Sequence, residues 1–180
     1  LVERDEKFGK SYFSLNSDGS RADLITIKGG GYRHPSSEET LREKVVDEYG
    51  NIRSDEQGYM QGGDVFNFVI REIPRDIKKT LEYAGDTADS FDYIVFHQAN
   101  NFINAYIAKK MKLDTDKIPS TIAKYGNTSS VSVPLTIVSE LKDRLYGNKK
   151  LLLSAFGVGM TWATGIVPFV DCKISDIVEV

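Results

Sequence analysis

The chain has few of the residues that build disulfide frameworks and metal centres. Its 180 residues include one cysteine, Cys172, and two histidines, His34 and His97. A single cysteine excludes an intramolecular disulfide and any zinc site that needs two or more thiolates. Two histidines leave little material for a His-rich metal site, so we expect no metal.

A charge excess of one sign and long apolar runs are also lacking. The sequence has 23 Lys and Arg residues against 26 Asp and Glu residues, a formal net charge of −3, which argues against a nucleic-acid-binding domain. No apolar run approaches the ~18 residues of a membrane span, and no secretory leader is evident. We therefore expect a cytoplasmic protein without a membrane span. Because the sequence starts in mid-pattern with Leu1 rather than Met, we also expect a piece of a longer chain.

Strand-like and helix-like segments follow one another at short intervals. This order predicts an α/β domain, with helices layered on a mixed sheet, over residues 1–180. The polar stretch 32–61 is predicted to be a loop-rich insertion, either a surface excursion or a wall or lid over an acyl group. The predicted strands are 11–15, 24–27, 91–96, 151–156 and 161–170, and the predicted helices are 38–46, 64–83, 102–113 and 130–146.

Local features predict how some of these segments begin and end. Asp64 is predicted to cap the long helix, and Gly85 to end it. Pro74 interrupts the apolar face of that helix and predicts a kink or a split near Ile73. The segment Ile118–Ala123 is predicted to be extended.

Polar and glycine-rich loops come directly after strand-like segments, where ligands of α/β sheets bind. They are His97-Gln98-Ala99-Asn100, Gly126-Asn127-Thr128-Ser129 and Phe156-Gly157-Val158-Gly159. A neutral imidazole, a carboxamide and a backbone N–H beside glycine can each donate a hydrogen bond to a developing oxyanion. Taken singly, the same residues also fit a structural histidine, a turn asparagine and a tight connection.

Taken together, these motifs closely resemble the β-ketoacyl-acyl-carrier-protein synthase III family of thiolase-like condensing enzymes. The turn Ser17-Asp18-Gly19-Ser20 and the helix entry Gly62-Gly63-Asp64-Val65-Phe66 also resemble that family. The resemblance runs from about Ser11 to Phe169 and implies the C-terminal half of a thiolase-like fold, with the N-terminal half absent. It implies a decarboxylative Claisen condensation of an acyl thioester with a malonyl thioester.

The resemblance also implies roles for individual residues. His97 and Asn127 match two members of a Cys-His-Asn catalytic set and would stabilise the enolate formed on decarboxylation. The N–H of Val158, beside Gly157, matches an oxyanion-hole position for the acyl-enzyme. Phe156 and Asn100 would line the substrate site. The nucleophilic cysteine of the family lies in the other half, so the fragment alone is expected to be inactive.

Other implied features concern cofactors and partners. No cofactor is expected to be bound, and the substrates would be phosphopantetheine thioesters carried by acyl carrier protein or coenzyme A. The full-length enzyme would be a homodimer. Family members that use the carrier protein usually have a basic residue where this chain has Phe102. Lys109, Lys110 and Lys112 still offer positive charge on the same helix, or simply a solvated face.

Two other functions are also compatible with the sequence. One is an acyltransferase of the same fold that does not decarboxylate its donor. The other is a non-catalytic homologue that acts as a structural subunit, against which the retained His97 and Asn127 count. Cys172 lies in a charged tail beyond the last predicted strand, so we expect it to have no catalytic part.

Overall fold

The computed structural model describes residues 8–178. Contacts divide these residues into two compact units, one of 8–16, 67–157 and 161–178 and the other of 17–66 and 158–160. The helices are α1 (Glu38–Leu41), α2 (Gly62–Ala84), α3 (Asn101–Met111), α4 (Ile122–Tyr125) and α5 (Ser132–Leu141). The strands are β1 (Tyr12–Ser17), β2 (Ile25–Thr26), β3 (Lys44–Val45), β4 (Ile52–Arg53), β5 (Tyr59–Met60), β6 (Tyr93–Phe96), β7 (Asn148–Gly157) and β8 (Thr161–Val170).

The first unit is built on a four-stranded sheet in the order β1-β8-β7-β6. Strands β6 and β7 are parallel, with Val95 opposite Leu153, whereas β7 and β8 are antiparallel. The mixed sheet with helices that the sequence predicts is therefore confirmed. Strand β8 begins and ends at the predicted residues.

Apolar side chains from the sheet and from α5 form the core beside the parallel strands. Val95, Ile137, Leu141, Leu145 and Leu151 make one buried cluster. Burying a side chain of this size stabilises the folded state by about 1.5–3 kcal/mol. The core thus packs α5 and the segment after it against β6 and β7, and the candidate loops leave from the carboxyl ends of these two strands.

The long helix α2 shows the apolar face that its sequence predicts. Val69, Ile73 and Ile77 are buried, which confirms the helical period. The helix begins at Gly62, so Asp64 lies in the first turn and the predicted cap at Asp64 is wrong. The backbone N–H of Val65 already donates to the carbonyl of Gln61, which extends the helix upstream.

The same helix runs without interruption through Pro74. A proline has no N–H for the carbonyl four residues earlier, which here is Ile70. The Lys110 ammonium donates to that oxygen, with Nζ and O 2.7 Å apart. The predicted split near Ile73 is wrong, and a donor from α3 occupies the place of the missing N–H.

The connection between α3 and α5 also differs from the prediction. Ile122 and Ala123, the end of the segment predicted to be extended, lie instead in the helix Ile122–Tyr125, where the backbone N–H groups of Lys124 and Tyr125 donate to the carbonyl of Thr121. A helix of four residues is too short to show a helical period of apolar residues, so the sequence could not predict it. The loop that contains Asn127 therefore follows a helix, not a strand. The predicted helix 130–146 is α5 flanked by 3₁₀ turns at Ser129–Val131 and Lys142–Arg144.

The second unit contains short elements joined by loops. Strands β2 and β5 pair antiparallel, as do β3 and β4. The four-residue helix α1 is capped by Ser37, whose hydroxyl accepts the N–H of Thr40. His34 is exposed and lines an open groove of about 780 Å³ within this unit. Whether 32–61 is an insertion, and whether 1–180 is one domain, stay predictions.

Candidate active site

His97 is the first residue after β6, and its backbone is held from both sides. Its N–H donates to the carbonyl of Ser154 on β7 at 2.8 Å, which continues the parallel ladder. Its carbonyl accepts from Asn104 Nδ2 at 3.2 Å. The strand end therefore projects the imidazole from a fixed backbone, which is the condition for a precisely aimed donor.

Gln98 anchors the same loop from within, and the sequence reasoning missed it. Its side chain is fully buried, at 0% exposure. The Nε2 group donates to the carbonyl of Phe96 at 2.7 Å, and Oε1 accepts from the N–H of Thr121 at 3.0 Å and from Ser120 Oγ at 3.1 Å. A buried amide needs such partners. A polar residue directly after a buried strand is the feature that could have revealed it.

The His97 ring has a polar neighbour and an aromatic one. Nδ1 lies 2.6 Å from Ser132 Oγ, at the start of α5. The ring also meets Phe156 edge to face, with centroids 5.1 Å apart and planes at 81°. Burial lowers the pKa of the His97 imidazole below its usual range, since the charged form is disfavoured away from water. The ring is therefore predominantly neutral near pH 7.

Asn127 lies in the loop between α4 and α5, after Gly126. Gly126 has φ +66, a left-handed conformation that glycine adopts without strain. The Asn127 side chain is exposed, and its Oδ1 accepts from the N–H of Ser129 at 2.9 Å. This contact orients the amide group, so the Nδ2 hydrogens are the donors that can bond to a ligand oxygen. Ser129 has φ +55, a strained value for a residue with a side chain.

The glycine-rich turn follows β7, with Phe156 and Gly157 at the end of the strand. A Cβ at Gly157 would meet no heavy atom of the described chain within 4 Å, so space for a close approach to the backbone exists there. Val158 begins the turn that belongs to the second unit, and its side chain is exposed. Of the neighbouring side chains, the His97 ring contacts Phe156 and Ser132.

The sequence is similar to proteins of known family. Residues 81–169 match the family model described as 3-oxoacyl-[acyl-carrier-protein (ACP)] synthase III C terminal. The chain is 35% identical over 171 residues to the beta-ketoacyl-[acyl-carrier-protein] synthase III of Streptococcus pneumoniae (strain Hungary19A-6), covering 93% of this chain and 49% of that protein. Residues 81–169 are therefore similar to the C-terminal part of synthase III.

Solved structures of synthases extend the likeness over nearly the whole chain. The 3-oxoacyl-(acyl-carrier protein) synthase of Burkholderia xenovorans LB400 matches with a TM-score of 0.81 and 36% identity, over 94% of this chain and 47% of that chain. The synthase III of Thermus thermophilus matches with a TM-score of 0.74 and 26% identity, over 96% and 50%. The thiolase-like fold implied by the sequence motifs is confirmed.

The chain spans about half the length of the synthase III relatives that it matches. It corresponds to a C-terminal half of such a synthase, as the sequence motifs imply.

Asn100 has a structural contact of its own at the entry to α3. Its Oδ1 accepts from the N–H of Ile103 at 2.8 Å, which makes it the N-cap of the helix. An N-cap satisfies one of the donors that a helix start leaves open. The substrate-lining role of Asn100 stays a prediction.

The lysines of α3 and its C-terminal end are exposed but are not equivalent. Lys110 donates to Ile70 O and lies 5.9 Å from the ring centroid of Tyr106. Lys112 ends the helix in a left-handed conformation, with φ 55. Phe102, on the same helix, is 68% exposed. A docking role for Lys109, Lys110 and Lys112 stays a prediction.

Cys172 is exposed and follows β8, as the sequence predicts. No group of three or more His, Cys, Asp or Glu side chains within residues 8–178 has the arrangement to hold a metal ion. Over the same residues, no helix is both long and apolar enough to cross a membrane.

Proposed function

We propose that this chain supplies the decarboxylation half of the active site of a synthase III-type condensing enzyme. The observation that carries the proposal is the arrangement of His97. A neutral imidazole stands at the carboxyl end of a buried strand, bonded through Nδ1 to Ser132 and packed against Phe156. That arrangement leaves Nε2 as the ring nitrogen for a ligand.

His97 and Asn127 would act on the malonyl donor. Both side chains can donate a hydrogen bond to the thioester carbonyl oxygen, which becomes negative when the carboxylate leaves. His97 suits this role because its lowered pKa keeps the imidazole neutral. Asn127 suits it because Oδ1 is occupied by the N–H of Ser129. The C–C bond to the carboxylate breaks, CO₂ departs, and its electron pair forms the enolate that the two donors stabilise.

The turn after β7 would serve the acyl-enzyme. The N–H of Val158, next to the open space at Gly157, would donate to the oxyanion formed when the enolate carbon attacks the acyl thioester. The new C–C bond forms, the thiolate leaves, and a β-ketoacyl thioester is produced. Phe156 would pack beside the reacting groups and exclude water.

The nucleophilic thiolate would come from the other half of the enzyme. Cys172 is the one cysteine of this sequence, and it is exposed after the last strand. A reactive thiolate requires an electropositive, partly enclosed setting. We therefore propose that the chain by itself does not catalyse condensation. Acyl loading on the other half's cysteine would release the first carrier thiol before the malonyl thioester binds.

The carrier, assembly and location belong to the same proposal. The substrates would be phosphopantetheine thioesters of acyl carrier protein or coenzyme A, with no bound metal or cofactor. The whole enzyme would be a homodimer that works in fatty acid biosynthesis in the cytoplasm. The exposed Phe102 on α3 is a departure that bears on the choice of carrier.

The test uses the full-length enzyme that contains this chain, with acyl and malonyl thioesters of both carriers. Production of CO₂ and of a β-ketoacyl thioester supports the proposal. Acyl transfer to a hydroxyl or amine without CO₂ would instead support the acyltransferase. Absence of both activities would support a structural homologue.

A further inference from the structure

We propose that Ser132 is a positioning residue, which holds the His97 imidazole in the neutral tautomer whose proton is on Nε2. This inference deepens the proposed function and rests on it for its catalytic meaning. The observation behind it is a complete set of hydrogen bonds around a single buried hydroxyl.

Ser132 is 1% exposed and is the first residue of α5. Its Oγ lies 3.3 Å from the backbone nitrogen of Gln98 and 2.6 Å from His97 Nδ1. The backbone nitrogen of Gln98 can only donate, so Oγ accepts that bond. The hydroxyl proton then needs an acceptor, because a buried donor without a partner is costly.

His97 Nδ1 is the acceptor that the structure offers. Within residues 8–178, Ser132 Oγ is hydrogen-bonded to the backbone nitrogen of Gln98 and to His97 Nδ1. If Nδ1 carried the proton, Oγ would receive two N–H donors and its own proton would lack a partner. When Ser132 donates to Nδ1, every group is satisfied, and the imidazole proton lies on Nε2.

The same contact opposes the imidazolium, since a charged ring has protons on both nitrogens. Protonating Nδ1 would again displace the Ser132 proton from its acceptor. Burial lowers the pKa of His97 in the same direction. The two effects together keep the ring as a neutral donor through Nε2, which is what an enolate oxygen requires.

A hydroxyl chain anchors Ser132 within α5. Thr136 Oγ1 donates to the carbonyl of Ser132 at 2.8 Å. Thr121 Oγ1 lies 2.8 Å from Thr136 Oγ1, and it must be the donor because the Thr136 proton is already used. Both threonines are buried. The start of α5 is thereby fixed to the segment that also binds Gln98.

The direct test is the tautomer of His97, read by nitrogen NMR on the 180-residue chain labelled at histidine. The chain has two histidines, so His34→Gln assigns the signals. In the wild type we expect a pyridine-type Nδ1 and a protonated Nε2. In Ser132→Ala we expect a mixture of tautomers. Ser132→Thr retains a hydroxyl and should keep the wild-type pattern, and Ser130→Ala, at an exposed neighbouring serine, is the matched control.

The kinetic test uses the full-length enzyme. Ser132→Ala should slow CO₂ release by about 10–100-fold, by analogy with the loss when a metal-binding histidine loses its orienting hydrogen bond. Loading of the nucleophilic cysteine should stay within about twofold of wild type, and Ser132→Thr should recover most of the rate.

A wild-type His97 protonated at Nδ1 would overturn the inference, and this result does not depend on any variant folding. An unchanged tautomer in folded Ser132→Ala would overturn it as well. If the tautomer shifts as expected but the full-length enzyme releases no CO₂, then the proposed function fails while the positioning of His97 by Ser132 stands.

Discussion

Lys110 Nζ lies 2.7 Å from the backbone oxygen of Ile70, the carbonyl that Pro74 leaves without its helical donor. The long helix α2 and the helix α3, which begins just after His97, are therefore joined at the point where α2 has lost a hydrogen bond. A residue predicted as a docking charge has a structural contact.

Lys110→Met should lower the free energy of unfolding by about 1 kcal/mol, since the bond is charge-assisted but exposed. Lys109→Met, on the same helix, should change it by less than about 0.5 kcal/mol. Urea unfolding measures both. In a Pro74→Ala background the N–H of residue 74 returns, and the effect of Lys110→Met should shrink. Equal effects of Lys110→Met in the two backgrounds would contradict the account.

Asp76 is a buried carboxylate, 4% exposed, in the same helix. One oxygen accepts from Asn16 Nδ2 at 2.8 Å and the other from Thr164 Oγ1 at 2.6 Å, which ties α2 to β1 and β8. Asp76→Asn removes one acceptor and should cost about 1–3 kcal/mol of unfolding free energy. The exposed control Asp143→Asn should be close to neutral, and a neutral Asp76→Asn would contradict this account of Asp76.

Acidification should destabilise the chain partly through His97. Burial lowers the pKa of its imidazole in the folded state, so the unfolded chain binds a proton more readily. The contribution of His97 to the free energy of unfolding is fully present above the ordinary imidazole pKa near 6.5. It is lost as the pH falls below that value. Between pH 7.5 and pH 5.5, His97→Gln should therefore lose less unfolding free energy than wild type. His34→Gln is the control, and a His97→Gln loss as large as that of wild type would disprove the linkage.

Asn127→Asp tests whether the carboxamide donates to substrate. The change keeps an oxygen for the N–H of Ser129 but replaces the Nδ2 donors with an acceptor. CO₂ release by the full-length enzyme should fall by about 10²–10³-fold. Asn148→Asp, at an exposed position, should leave the rate unchanged. A rate close to wild type for Asn127→Asp would remove Asn127 from the mechanism.

Elements with a clear period or a long apolar run could be predicted from the sequence. Strand β8 matches its prediction residue for residue, and the buried face of α2 follows from the spacing of Val69, Ile73 and Ile77. The continuity of α2 through Pro74 could not be predicted, because it depends on a contact from Lys110 forty residues away.

In the candidate site too, residues that belong to a sequence motif could be predicted, whereas residues whose role depends on tertiary contacts could not. His97 and Asn127 stand out as motif residues, but Ser132 does not, because its importance comes from the packing of α5 against the end of β6. Gln98 is similar, since its amide is satisfied by Thr121 and Ser120 from a segment whose helix is too short to predict.

The most direct test of the central claim compares two half-reactions in His97→Ala of the full-length enzyme. One is release of labelled CO₂ from the malonyl thioester, and the other is acyl transfer to the nucleophilic cysteine. The account predicts a loss of CO₂ release of about 10²–10³-fold with acyl loading still detectable. Loss of loading while CO₂ release persists would contradict it.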